Sequence, residues 1–236
     1  MLVAAAVCPC PPLLVPDVAA GAAPELDAAR AACADALGLL AAARPDLLVV
    51  VGPDAETGPT AYAQGTPGSF RGFGVERDVT LGQARDGVVG TLPPSLAVAG
   101  WLLERTGWAD APIEGLGVGE PLAVDRCIEI GSGIAARTER VALLVMGDAS
   151  ACRTLKAPGY LDERAEPFDA EAARALETAD LAALKGLDAD LARELMVSGR
   201  APWQVLAGAA DGAALRGALL YEDAPYGVGY LVAAWS

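Results

Sequence analysis

The sequence predicts an α/β protein, a three-layer αβα sandwich around a mixed, largely parallel sheet. Three observations carry that expectation. Leu47–Gly52 and Val141–Met146 are unbroken apolar runs without polar alternation, as strands covered on both faces require. Segments with apolar residues at helical spacing alternate with such runs. The chain has 236 residues, 53% hydrophobic and 20% charged. That is enough for one large core but not for two domains of ordinary size, so residues 1–236 are read as one domain.

Each element follows in order. Residues 2–8 form a short buried strand. Pro9, Pro11, Pro12 and Pro16 make 9–16 an ordered or polyproline-like loop, because proline lacks the N–H and fixes φ. Pro24-Glu25 opens a helix to about Ala43, with Leu26, Ala29, Cys33, Leu37 and Leu40 on one face. After the strand at 47–52, residues 53–74 hold Gly, Pro, Thr and Ser and read as a long loop, a length that usually marks function. Helices are expected at 94–107 and 121–137, with strands at 113–118 and 141–146. A second loop spans 151–166. Helices at about 168–184, 188–197 and 202–210 follow, and strands at 214–221 and 226–234 close the chain. The stripe Leu176, Leu181, Leu184, Leu191, Leu195 and Trp203 reads as core rather than as a docking face.

The composition excludes several function classes. Seventeen basic and 31 acidic residues give a net charge of −14. That balance disfavours phosphate backbones and anionic membranes, so no nucleic-acid or membrane partner is expected. Histidine is absent. This removes imidazole acid–base chemistry, Ser–His and Cys–His nucleophile pairs, and imidazole metal sites. The five cysteines (Cys8, Cys10, Cys33, Cys127, Cys152) are odd in number and irregularly spaced. They argue for a reducing compartment, with the cytoplasm as the default. Leu2–Val7 lacks the basic flank and the length of a leader peptide, and no stretch is apolar enough to span a bilayer.

Generic motifs fail when tested. Gly68–Gly74 and Gly115–Gly119 match neither dinucleotide nor P-loop spacing and read as turns. Cys8-x-Cys10 has one residue too few for a metal or redox knuckle. In a sheet of this class ligands sit at the carboxyl ends of strands. Here those ends are Cys8–Pro12, Gly52–Ala55, Gly147–Arg153 and Tyr221–Tyr226.

Together these four segments carry a resemblance. Val7-Cys-Pro-Cys-Pro-Pro-Leu-Leu-Val-Pro16, Val49-Val-Val-Gly-Pro-Asp54, Leu144-Val-Met-Gly-Asp-Ala-Ser150 and Ala224-Pro-Tyr-Gly-Val-Gly-Tyr230 resemble the class III extradiol ring-cleavage dioxygenases. The match is to the LigB-like catalytic-subunit branch found as small stand-alone actinobacterial proteins. It runs over nearly the whole chain in the same order. The resemblance implies a three-layer αβα fold with a cleft at these strand ends. In active members that cleft holds non-haem Fe(II) on two histidines and a glutamate, with a further histidine as acid–base catalyst.

This sequence departs from that pattern at each histidine. Cys10 stands before the Pro-Pro pair, Asp54 follows Pro53, and Ala151 follows Gly147-Asp148-Ala149-Ser150. Glu222 matches the family carboxylate. A set of two neutral imidazoles and one anion suits Fe(II) with open positions, whereas Cys10, Asp54 and Glu222 would offer three anions of mixed softness. No cofactor is therefore expected. The function expected is a non-catalytic or repurposed cleft-bearing relative that takes a small-molecule ligand, with homo-oligomerisation compatible with the family. The alternative is an oxidoreductase or other enzyme that works the same cleft with Cys10, Asp54, Asp148 and Glu222.

The candidate cleft residues are Cys10, Asp54, Asp148, Ser150, Arg153, Glu222 and Tyr226. Each also has a structural reading. Cys10 packs under the proline loop, Asp54 caps a turn, and Ser150 bonds within its own loop. Arg153 and Lys156 form surface ion pairs, and Tyr226 packs with its hydroxyl toward the cleft. Carboxylates gathered where a dication once stood repel one another. Either Arg71 or Arg153 must then bridge them, or they must point apart.

Overall fold

The computed structural model describes residues 1–236. Strand β1 is Leu2–Cys8; helix α1 is Pro16–Ala19, between two 3-10 segments; α2 is Asp27–Ala42. Next come β2 (Leu47–Asp54), β3 (Thr60–Ala63), β4 (Pro67–Ser69), β5 (Asp78–Thr80) and α3 (Pro94–Thr106). The middle of the chain is β6 (Ile113–Gly119), α4 (Val124–Ala135) and β7 (Val141–Met146). Helices α5 (Ala165–Thr178), α6 (Leu181–Lys185), α7 (Ala189–Glu194) and α8 (Arg200–Ala209) precede β8 (Gly217–Asp223) and β9 (Tyr230–Trp235).

The main sheet has seven strands in the order β3-β6-β2-β7-β1-β9-β8. Its centre is parallel: β1 pairs with β7, β7 with β2, and β2 with β6. Strand β9 runs antiparallel to β1 and β8 antiparallel to β9, so β8 again points with β1. The carboxyl ends of β1, β2, β6, β7 and β8 therefore emerge at one edge. Helices cover both faces, which makes the three layers expected from the sequence.

Alternation along the strands divides the core. Val7, Val49, Val51, Leu143 and Val145 pack with α4, α5 and α8 on one face. Ala6, Leu48, Val50, Leu144 and Met146 pack with α2 and α3 on the other. All six residues of β7 are buried. Each buried Val, Leu or Met contributes roughly 1.5–3 kcal/mol relative to exposure, which is why polar residues are absent from these runs. The Leu/Trp stripe is core as expected: Leu176, Leu184, Leu195 and Trp203 are fully buried, and Leu181 and Leu191 pack against them.

Several boundaries differ from the sequence expectation. The 53–74 segment is not a plain loop. It supplies β3, which pairs antiparallel with β6, and β4, which makes a small hairpin with β5. These strands have three or four residues among Gly and Pro, too short for a period to register. The expected 168–184 helix breaks because Ala179 takes a left-handed φ of 52° and Asp180 caps α6 through Ala183 N at 3.0 Å. The last strand starts at Tyr230, not 226, because Ala224–Gly227 closes a turn through Gly227 N to Ala224 O at 3.0 Å. The edge strand β8 carries a bulge between Leu219 and Tyr221.

Helices α4 and α8 touch backbone to backbone. A methyl group on Gly131 would sit 2.6 Å from Ala209 N, and one on Gly208 would sit 2.7 Å from Ile128 Cα. Neither contact can be relieved by a rotamer change. Gly131→Ala is expected to lower stability by about 1–3 kcal/mol or more. Denaturant unfolding read by circular dichroism checks this, with Gly133→Ala, which meets nothing within 4 Å, as the neutral comparison.

Candidate functional site

The loop after β7 organises the carboxyl edge. Its backbone is laced to every neighbour: Gly147 N donates to Cys8 O at 3.0 Å, Ala149 N to Gly229 O at 2.8 Å, and Arg153 N to Gly227 O at 3.0 Å. Gly199 N at the start of α8 donates to Asp148 O at 2.9 Å. Three of the four segments singled out in the sequence therefore meet here, since β1, β7 and the β8–β9 connection share one hydrogen-bonded seam, while Gly52–Ala55 does not join it.

Cys10 and Asp148 are brought together. Cys10 is buried, and its N–H donates to Asp148 Oδ1 at 2.8 Å. Asp148 N donates to Ser198 Oγ at 2.9 Å. Burial pushes the Asp148 carboxyl up to about 7, against the lowering effect of the Cys10 N–H. Burial and then the Asp148 charge push the Cys10 thiol well up, so it is no thiolate nucleophile or ligand near neutrality. Tyr230, also buried, faces the same pair. Burial first and Asp148 second raise its phenol.

Ser150 and Arg153 belong to a different cluster. Asp169 of α5 is buried, and its two oxygens accept from Ser150 N and Ser150 Oγ, both at 2.8 Å. Arg153 Nη1 donates to Asp169 Oδ2 at 3.1 Å, and its other nitrogen lies 3.8 Å from Glu166. So Ser150 bonds to a helix rather than within its own loop, and Arg153 pairs with a buried acid rather than at the surface. Bonded on both oxygens and paired with a guanidinium, Asp169 is a satisfied buried charge that fixes the strand-end loop to α5.

The remaining candidates lie apart. Asp54 accepts from Tyr62 Oη at 2.6 Å and, at 3.4 Å, from Glu56 N, which is the turn-capping geometry expected. Glu222 is exposed on the edge strand β8. Tyr226 is half-buried, and its hydroxyl donates to Glu25 at 2.9 Å. Neither arginine bridges these carboxylates: Arg71 pairs with Asp78 at 2.8 Å, and Arg153 with Asp169. The acids instead point to different neighbours.

The residues present do not fit the resemblance's iron site. Asp54 is taken by Tyr62, Glu222 stands on the outer strand, and Cys10 meets Asp148 only through its backbone N–H. No group of three or more Cys, Asp and Glu side chains is arranged to hold a metal ion.

Asp169, Ser198, Tyr230 and Tyr62 were not among the sequence candidates. Asp169 had a signal. With Ala165, Ala172, Ala173 and Leu176 it falls on the buried stripe of α5, and an acid on an apolar stripe needs a partner. The other three had none: the partners of Ser198 and Tyr230 are distant in sequence, and Tyr62 sits on a strand too short to show a period.

A concavity of about 580 Å³ opens on this edge, lined by Thr154, Leu155, Lys156, Pro225 and Tyr226. Another, of about 470 Å³, lies beside the β4–β5 hairpin and α3, away from the strand ends. Its acids Asp78 and Glu104 are already paired with Arg71 and Arg77.

No protein-family model and no curated protein matches the chain. Among solved structures it is similar to the uncharacterized protein JW3007 from Escherichia coli K12. The TM-score is 0.57 over 99% of this chain and 99% of that one, at 16% sequence identity. At that identity the likeness concerns the fold alone. No helix is long and apolar enough to cross a membrane.

Two predictions follow from the clusters. Asp148 holds its proton more tightly folded (about 7) than at its ordinary 3.8. The native state thus binds the extra proton between those values, and stability falls as pH rises through that window. Asp148→Asn is expected to flatten this fall and to raise the melting temperature at pH 8 relative to pH 5; thermal melts across pH check it. For the other cluster, Asp169→Ala orphans Ser150 and Arg153 and is expected to cost about 3 kcal/mol or more. In a double-mutant cycle with Ser150→Ala the two losses should be clearly sub-additive by denaturant unfolding.

Proposed function

We propose that the chain is a non-catalytic or repurposed relative of the class III extradiol, LigB-like proteins, with its strand-end region turned to binding a small molecule. One observation carries this reading. The residues at the positions where the resemblance calls for iron and proton transfer do not face a common centre. Asp54 is bonded to Tyr62, Cys10 is buried with its N–H on Asp148, and Glu222 stands exposed on the outer strand. The edge is thus preorganised as a rigid rim with no assembled acid–base pair, an arrangement suited to recognition rather than turnover.

A second reading, an oxidoreductase or other enzyme that uses Cys10, Asp54, Asp148 and Glu222, is favoured by Asp148 alone. A carboxyl that titrates near 7 can act as a general acid at neutral pH. It lacks a partner for that work, since Asp54 and Glu222 lie elsewhere and the Cys10 thiol is held protonated.

The test combines metal analysis with an assay. Protein purified without chelator, and then supplied with Fe(II), is offered catechol-type substrates, and ring-opened product is followed by absorbance. The expected result is sub-stoichiometric iron and no ring cleavage above an Fe(II) blank. Stoichiometric iron together with turnover overturns the proposal.

A further inference from the structure

The concavity at the carboxyl edge has a construction that none of the paired clusters explains. Two turn tips form it: Thr154–Lys156 from the loop after β7, and Pro225-Tyr226 from the turn after β8. They are clamped together below the opening by Arg153 N donating to Gly227 O at 3.0 Å. Gly227 has a φ of 75°, and a methyl group there would lie 2.6 Å from both Ala157 Cβ and Thr154 Oγ1. The close approach therefore depends on that glycine. Arg153 is fixed in turn by buried Asp169, and the Tyr226 ring is tethered by its hydroxyl to Glu25 at 2.9 Å. Both walls are held before any ligand arrives.

The charges are equally particular. The chain carries −14 overall and has only two lysines. Lys185 pairs with Asp211 at 2.9 Å. Lys156 has no carboxylate within 4.0 Å, although acids outnumber bases by nearly two to one. Beside it Leu155 is 60% exposed, a large apolar side chain left in water at the rim. An unpaired ammonium, an exposed leucine, a proline and a tethered tyrosine face one space of about 580 Å³, well within the range of small-molecule sites.

We propose that this concavity binds an amphipathic monoanion: one carboxylate or sulfonate, which Lys156 pairs with, on an apolar body that covers Leu155, Pro225 and the Tyr226 ring. A single cation selects a single negative charge, and the field of a −14 chain repels polyanions such as nucleotides. Covering the exposed apolar surface supplies most of the affinity and the ion pair supplies selectivity. The proposal rests on the binding reading given above and names its ligand class.

Anilinonaphthalene sulfonate is the probe, titrated into the native protein by fluorescence, with octanoate and then octanol as competitors. The expected result is one saturable site per chain, displaced by octanoate and far less by octanol. Lys156→Gln should weaken the probe by about fivefold or more and Lys156→Arg should restore it, on the scale of one ion pair. Lys185→Gln should leave it unchanged. Gly227→Val should abolish binding by forcing the two tips apart. Unaltered melting temperatures of the lysine variants keep the readout from reflecting unfolding. Absence of a saturable site, or equal affinity in Lys156→Gln, overturns this site but leaves the non-catalytic reading standing; ring-cleavage turnover overturns that reading whatever the probe does.

Discussion

The molecule is governed by the burial of its central strands on both faces. Strand β7 has hydrocarbon above and below it and a parallel neighbour on either side, so no polar side chain can be accommodated along its length. Polar chemistry is confined to where the strands end. The parallel register aligns those ends, and the return of β8 through β9 brings one more to the same edge. The candidate residues at the ends of β1, β7 and β8 are therefore gathered on one rim by a constraint that is itself entirely apolar.

At that rim, hydrogen-bonding capacity is used for cohesion. The loop after β7 touches β1, α5, α8 and the β8–β9 turn through backbone amides and through two acids of different character. Asp169 is a charge made tolerable by a guanidinium and by two donors from Ser150. Asp148 has one backbone donor and no cation, and burial raises it toward neutrality. Asp169 on α5 anchors the loop from outside through Ser150 and Arg153, whereas Asp148 within the loop is a group whose charge depends on pH.

Much of the layered architecture was legible in the sequence. The unbroken runs at 47–52 and 141–146 announce strands covered on both sides, and the helical spacing in 24–43 and about 168–184 announces their covers. What could not be read lies where local signals are short or contacts remote. Strands β3, β4 and β5 are too brief to show a period, and the break at Ala179 comes from a cap formed by Asp180 rather than from a glycine or proline. For the candidate site, the sequence pointed to the strand-end edge at which Cys10 and Asp148 are neighbours. It grouped Asp54 and Glu222 with them because strand order alone does not tell which way an end-of-strand side chain turns. Asp54 turns to Tyr62, eight residues on, and Glu222 rides the outermost strand.

The bulge in β8 has a consequence for how the molecule tolerates its own concentration. One extra residue near Leu220 switches the inward side chain from one layer to the other, so that Leu219 packs against the α5 side and Tyr221 against the α2 side. A single outer strand thus helps seal both halves of the core. The same irregularity spoils the template that the unpaired border would offer to another chain, because an incoming strand that matches its amides up to Leu219 is out of step beyond it. The sheet can end there without growing into its neighbours, which keeps an open-edged fold from becoming a fibre seed.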